Sequence, residues 1–153
     1  MMDLQAALGI HQLARAEANL ERRQAIWRRY DEAFADLPLQ TPAPEEPGTR
    51  HARHLYTVML DLERVTCTRD EVLLALHRRK IGSGVHYRAL HLHPYYREAH
   101  GYERGDFPSS EWISDRTVSL PLSPKLTDED VEDVVDALRS TLLDASRQQQ
   151  TAC

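Results

Sequence analysis

Sulfur chemistry has little to work with in this chain. Cys67 and Cys153 are its only cysteines, too few for a disulfide framework and in no metal-ligand spacing. Long hydrophobic runs are missing as well. None approaches the ~20 apolar residues that span a bilayer, so no membrane partner is expected. The opening stretch, MMDLQAALGIHQLARAEANLERR, mixes charge into its apolar positions and does not read as a signal peptide. Cytoplasm is therefore the expected compartment. A surplus of positive charge is lacking too. With 24 acidic side chains against 19 basic ones and a formal net charge of −5, the chain does not suit a general nucleic-acid binder, because phosphate rewards a basic surface. Lysine is nearly absent: Lys80 and Lys125 are the only two. No internal repeat is present.

What is there has the composition of one soluble domain, 153 residues with 41% hydrophobic and 28% charged, enough to bury a core. Leu13, Leu20, Trp27 and Phe34 recur every seven residues, with Leu4, Leu8 and Tyr30 on the same side. That spacing predicts one long helix over 1–37 with a single buried stripe, stopped at Leu37-Pro38 because proline disfavours a helical residue before it. PLQTPAPEEPGTR predicts a loop. His54 to Leu62 is rich in strand formers. Thr68-Arg69-Asp70-Glu71 is a capping box and opens a helix carrying Val72, Leu73 and Leu76, with Gly82 as its stop. GVHY predicts a short second strand. Arg88 to Pro108 predicts a long irregular stretch, broken by Pro94, Gly101 and Gly105. SSEWISDR reads as a turn or two of helix from Ser109 or Ser110. TVSLPL reads as a half-buried strand. Thr127 caps a last helix whose apolar face is Val131, Val134, Val135, Leu138 and Leu142. The order is α+β, helices against one small, mainly antiparallel sheet. The expected divisions are a helix over 1–37, a small α+β domain over 38–145 and a frayed tail over 146–153.

The chemistry concentrates in KIGSGVHYRALHLHP, Lys80 to Pro94. His86, His91 and His93 are close enough to converge on a metal, but no cysteine lies near to complete a structural set, and no metal site is expected. His51, His54 and His77 read as ordinary surface or core histidines. Neither GSGVH nor SLPLSP matches the nucleophile elbow G-x-S-x-G. Gly82-Ser83-Gly84 could turn amides towards an anion, yet the Walker pattern is absent. A ligand-facing segment remains: Arg88 offers a planar fork for phosphate or carboxylate, and His86 and Tyr87 offer directional hydrogen bonds. A plain surface cluster at a loop mouth stays open as the alternative.

Several stretches, taken in order, resemble one family. MMDLQAALGIHQLARAEANLERR, HARHLY, IGSGVHYRALHLHPYYRE and FPSSEWISDRTVSLPLSPKLTDEDVEDVVDAL are similar to the C-terminal part of the DegT/StrS-type sugar aminotransferases that use pyridoxal phosphate. IGSGVHYRALHLHPYYRE and SEWISDRTVSLPL further resemble the family's UDP-4-amino-4-deoxy-L-arabinose–oxoglutarate branch. The resemblance implies the small C-terminal domain of a fold-type I aminotransferase, which closes over a larger domain that holds the cofactor. It implies transfer of an amino group from glutamate to a nucleotide-linked keto-sugar, a homodimer, and a role in polysaccharide or lipopolysaccharide biosynthesis. His86, Tyr87 and Arg88 match positions on the sugar-nucleotide side, and His91 and Tyr96 extend that surface. The cofactor chemistry needs a lysine and an acidic partner for the pyridine nitrogen. The family's lysine lies upstream of anything matched here, so no cofactor-binding or catalytic residue is expected in this chain, and the large domain is expected as its partner. The competing expectation is a non-catalytic binding or dimerisation module of the same fold.

Overall fold

The computed structural model describes residues 2–151, with side chains through Ala145. The expected fraying of 146–153 falls outside the described side chains. The helix expected over 1–37 is present in two pieces, α1 (Asp3–Ala14) and α2 (Ala16–Phe34). They divide at Arg15, which ends one and begins the other at φ −103° and ψ −2°. The apolar stripe is buried only along its second half. Ile26, Trp27, Tyr30 and Phe34 are buried, whereas Leu4, Leu8, Ile10 and Leu13 stand exposed.

Three antiparallel strands follow in the order β1-β2-β3: β1 (Leu39–Gln40), β2 (Tyr56–Leu60) and β3 (Thr117–Leu120). β1 lies inside the segment expected as loop. Its two residues are too few to leave a period, and their pairing with Leu60 and Met59 is what makes them a strand. β2 points Tyr56, Val58 and Leu60 to one face, as period-two alternation requires. On that face lie α2, α3 (Arg69–Arg78) and α6 (Asp128–Thr151), whose Val72, Leu76, Val131, Val135, Leu138 and Leu142 complete the core. Trp27, Tyr30, Phe34 and Tyr56 pack ring against ring. The Tyr30 hydroxyl donates to the Pro121 carbonyl at 2.9 Å and that of Tyr56 to Asp31 at 2.7 Å, so burying these rings strands no polar group.

β3 is buried on both faces rather than half-buried. Its outer edge is closed by Gly84, which exchanges two backbone hydrogen bonds with Ser119. That single bridge replaces the strand expected for GVHY. α3 opens on the Thr68–Glu71 capping box, with Thr68 Oγ1 accepting from the Glu71 amide. Its stop is not Gly82. Lys80 takes the left-handed position at φ 63°, its amide donating to the His77 carbonyl and that of Ile81 to Leu76 at 3.0 Å, the pattern of a Schellman ending.

The stretch expected to be irregular is helical over about half its length. It holds a 3₁₀ turn (Leu90–Leu92), α4 (Pro94–His100) and the start of α5 (Pro108–Arg116). Pro94 and Pro108 occupy first-turn positions and Gly101, at φ 71°, ends α4. Pro94, Gly101 and Pro108, which read as breakers, mark helix boundaries, whereas Gly105 lies in the turn between α4 and α5.

Candidate functional site

Gly84 carries the chain off the sheet edge and delivers the histidine-rich segment to the face opposite the α2–α3–α6 layer. There Ser119 lies opposite Thr57 in the β2–β3 register, and their hydroxyls are 3.1 Å apart. His86 joins this pair, its Nδ1 2.8 Å from Ser119 Oγ. A Cβ on Gly84 would stand 3.3 Å from the imidazole Cε1, so glycine lets the ring lie close against its own backbone. The His86–Tyr87 peptide is cis. Tyr87 is exposed and sets its ring edge-on to His86, centroids 4.9 Å apart. Ser114 Oγ accepts from the Ala89 amide at 2.9 Å and so fixes the backbone just beyond Arg88.

Arg88 borders a cavity of about 460 Å³ between the start of α3, the 3₁₀ turn, α4 and α5. Arg69, Arg97 and Arg104 line it too, with His93 beside them and Asp70 and Asp115 as the carboxylates. Arg69 is buried and donates to the Ser114 carbonyl at 3.0 Å and to Asp70 at 2.6 Å. Arg104 holds Asp115 at 2.8 Å.

His91 and Tyr96 open onto a different hollow, about 360 Å³, walled by His100, Tyr102 and Phe107. His91 is buried and donates through Nε2 to Glu111 Oε1 at 2.9 Å. The same carboxylate oxygen accepts from the Gly105 amide at 2.8 Å. Glu111 is held below the usual glutamate range, first by the Gly105 amide, then by His91 against the opposing effect of burial. His91 thus ties the 3₁₀ turn to Glu111, and Glu111 clamps the 103–107 turn onto α5.

The five residues singled out from the sequence therefore divide. His86, Tyr87 and Arg88 form one continuous run, with His86 on the sheet edge and Arg88 at the arginine-lined cavity. His91 and Tyr96 share the aromatic hollow. Arg69, Arg97, Arg104, Ser114 and Ser119 were not singled out. Arg69 sits inside a capping box and Arg97 in mid-helix, positions that explain a charged residue without a ligand. Among the described residues no group of three or more His, Cys, Asp or Glu is arranged to hold a metal ion, and no helix is long and apolar enough to cross a membrane.

Fold and cavities together define a small α+β domain with an arginine-lined cavity and an aromatic hollow. The chain belongs to the DegT/DnrJ/EryC1/StrS aminotransferase family, whose pattern matches residues 1–139. It is 45% identical over 141 residues to the spore coat polysaccharide biosynthesis protein SpsC of Bacillus subtilis, covering 91% of this chain and 36% of SpsC. It is 44% identical over 140 residues to the uncharacterised MJ1066 of Methanocaldococcus jannaschii, with 91% and 36% covered. Among solved structures it superposes on Spr1654 of Streptococcus pneumoniae, described as a sugar aminotransferase and solved in its PLP-form. The TM-score is 0.84 at 30% identity, covering 95% of this chain and 36% of Spr1654. The chain thus spans about a third of the length of the curated relatives it matches.

Pyridoxal phosphate is the cofactor of this family, and its covalent attachment requires a lysine amine in an enclosed site with an acid facing the pyridine nitrogen. Lys80 and Lys125 are both exposed. Lys80 closes a helix and Lys125 stands in the turn before α6, and neither borders the two cavities described above. The described residues do not fit the group.

Proposed function

We propose that this chain is the substrate-side domain of an aminotransferase that moves an amino group from glutamate to a nucleotide-linked keto-sugar. The supporting observation is the run His86-Tyr87-Arg88, displayed from the sheet edge by Gly84 and Ser119 and ending at a cavity rich in guanidinium groups. Arg88 would bind the charged part of the substrate, while Tyr87 and His86 would orient hydroxyl groups of the sugar. His91 and Tyr96 border the hollow beside them and extend the surface. In this reading the cofactor and its lysine belong to the large domain, two such assemblies pair as a homodimer, and the enzyme works in the cytoplasm. The product would enter cell-surface polysaccharide, in keeping with SpsC being a spore coat polysaccharide biosynthesis protein. The finer choice is a UDP-linked 4-keto pentose, the substrate type of the branch that residues 81–98 resemble.

The exposure of both lysines also supports a second reading, a binding or dimerisation module of the same fold without chemistry of its own. Reconstitution separates the two. This chain is mixed with a large-domain polypeptide from a relative, pyridoxal phosphate, glutamate and a UDP-keto-sugar. Formation of 2-oxoglutarate that depends on both polypeptides is expected. Its absence, with a stable complex formed, would favour the module.

A further inference from the structure

The sheet face turned away from the α2–α3–α6 layer carries hydroxyls that the fold does not treat alike. Thr57 and Ser119 stand opposite each other in the β2–β3 register, with Oγ1 and Oγ 3.1 Å apart. Thr117, two residues back along β3, is fully buried, and its hydroxyl has no partner among the described residues. Ser119 is buried as well, and it holds the histidine segment twice. Its backbone exchanges two hydrogen bonds with Gly84, and its Oγ lies 2.8 Å from Nδ1 of His86. Each hydroxyl has one proton to give. When Thr57 donates to Ser119 and Ser119 to Nδ1, both protons are used and the ring proton sits on Nε2. In the reverse order Nδ1–H donates to Ser119 and Ser119 to Thr57, and the Thr57 proton finds no acceptor among the described residues. A half-buried hydroxyl left without its bond costs free energy, which favours the first order. Nε2 itself has no hydrogen bond among the described residues.

We propose that Ser119 is a positioning residue for His86, with Thr57 behind it. The two hydroxyls pass from β2 across β3 to the ring and fix the tautomer that carries its proton on Nε2. His86 then meets a ligand oxygen as an N–H donor and not as an acceptor. A plain structural tether has no such preference, because a hydroxyl can donate to Nδ1 or accept from it. The tautomer is a property of the chain without ligand. The source of the oxygen, a nucleotide sugar, rests on the proposed function.

The test reads the ring nitrogens of the full chain, labelled with heavy nitrogen, by long-range proton–nitrogen correlation. It is run at about pH 8, where imidazole is ordinarily neutral, with His86→Gln to assign the signals. His86 is expected to show a bare Nδ1 and a protonated Nε2. Ser119→Ala should move both nitrogens towards the averaged values of an untethered histidine, and Ser119→Thr should restore the fixed pattern. Thr57→Val should shift the same nitrogens by less. Thr117→Val removes a hydroxyl without a partner and should leave them unmoved. Amide signals of β2 and β3 that stay in place show the sheet intact, and Thr57→Val carries the test where Ser119→Ala displaces them. A proton on Nδ1 in the unaltered chain, or a pattern indifferent to both Ser119→Ala and Thr57→Val, overturns the proposal. A UDP-sugar should shift Nε2 on binding and leave Nδ1 bare. A UDP-sugar that binds with Nε2 unmoved overturns the donor role. Failure of the UDP-sugar to bind, with the pattern lost in Ser119→Ala, upholds the relay and counts against the nucleotide-sugar reading alone.

Discussion

Lys80 shows how much one side chain can be at odds with its backbone. A left-handed position costs an ordinary residue about 1–2 kcal/mol that glycine does not incur, and Lys80 holds one at φ 63°. Lys80→Gly should raise unfolding stability by about 1 kcal/mol, read as a shift in denaturation midpoint at unchanged slope. Glu111 makes a second residue-scale case. Its carboxylate receives His91 and the Gly105 and Phe107 amides, and these lower its proton affinity in the folded state. A depressed carboxylate contributes stability above its unfolded value, and that stability fades as pH falls through the folded one. Below about pH 4 the 103–107 turn should open first, seen as faster amide exchange there while β2 stays protected. Glu111→Gln should remove that acid-dependent step. An unchanged exchange profile would detach Glu111 from the clamp.

Among the elements, α1 and α3 are both amphipathic in sequence, yet only α3 is buried. Leu8 and Leu13 lie open on α1 whereas Leu76 is fully enclosed. Leu8→Gln with Leu13→Gln should therefore change stability by less than about 0.5 kcal/mol, while Leu76→Ala should cost about 2–5 kcal/mol. Parallel thermal melts check both. Elements with strong local signals were legible. The Thr68 and Thr127 caps, the β2 alternation and the apolar face of α6 were all readable from spacing and cap chemistry. β1 and the Gly84 bridge were not, because two residues and one residue carry no period and exist only through a distant partner. Nor was α4, because Pro94 and Gly101 look alike as breakers whether they interrupt a chain or bound a seven-residue helix.

At the scale of the whole molecule, the proposed enzyme places Arg88 against substrate and away from the reacting bond. Arg88→Ala in a complete enzyme should raise KM for the nucleotide sugar about tenfold with kcat changed little, the pattern of lost uniform binding. Steady-state kinetics with glutamate saturating would show it, and unchanged KM would take Arg88 out of the site. By itself the sequence determined the α+β class, most helix and strand positions, the caps, and the run His86-Tyr87-Arg88, because these rest on local periodicity, local hydrogen bonding and motif order. Tertiary structure alone decided which part of the first apolar stripe is buried, that His91 is tied to Glu111 while Arg88 faces a cavity, and that Arg69, Arg97 and Arg104 meet there. Those outcomes depend on residues tens of positions apart reaching one place, and only the packing of the sheet against its helices brings them together.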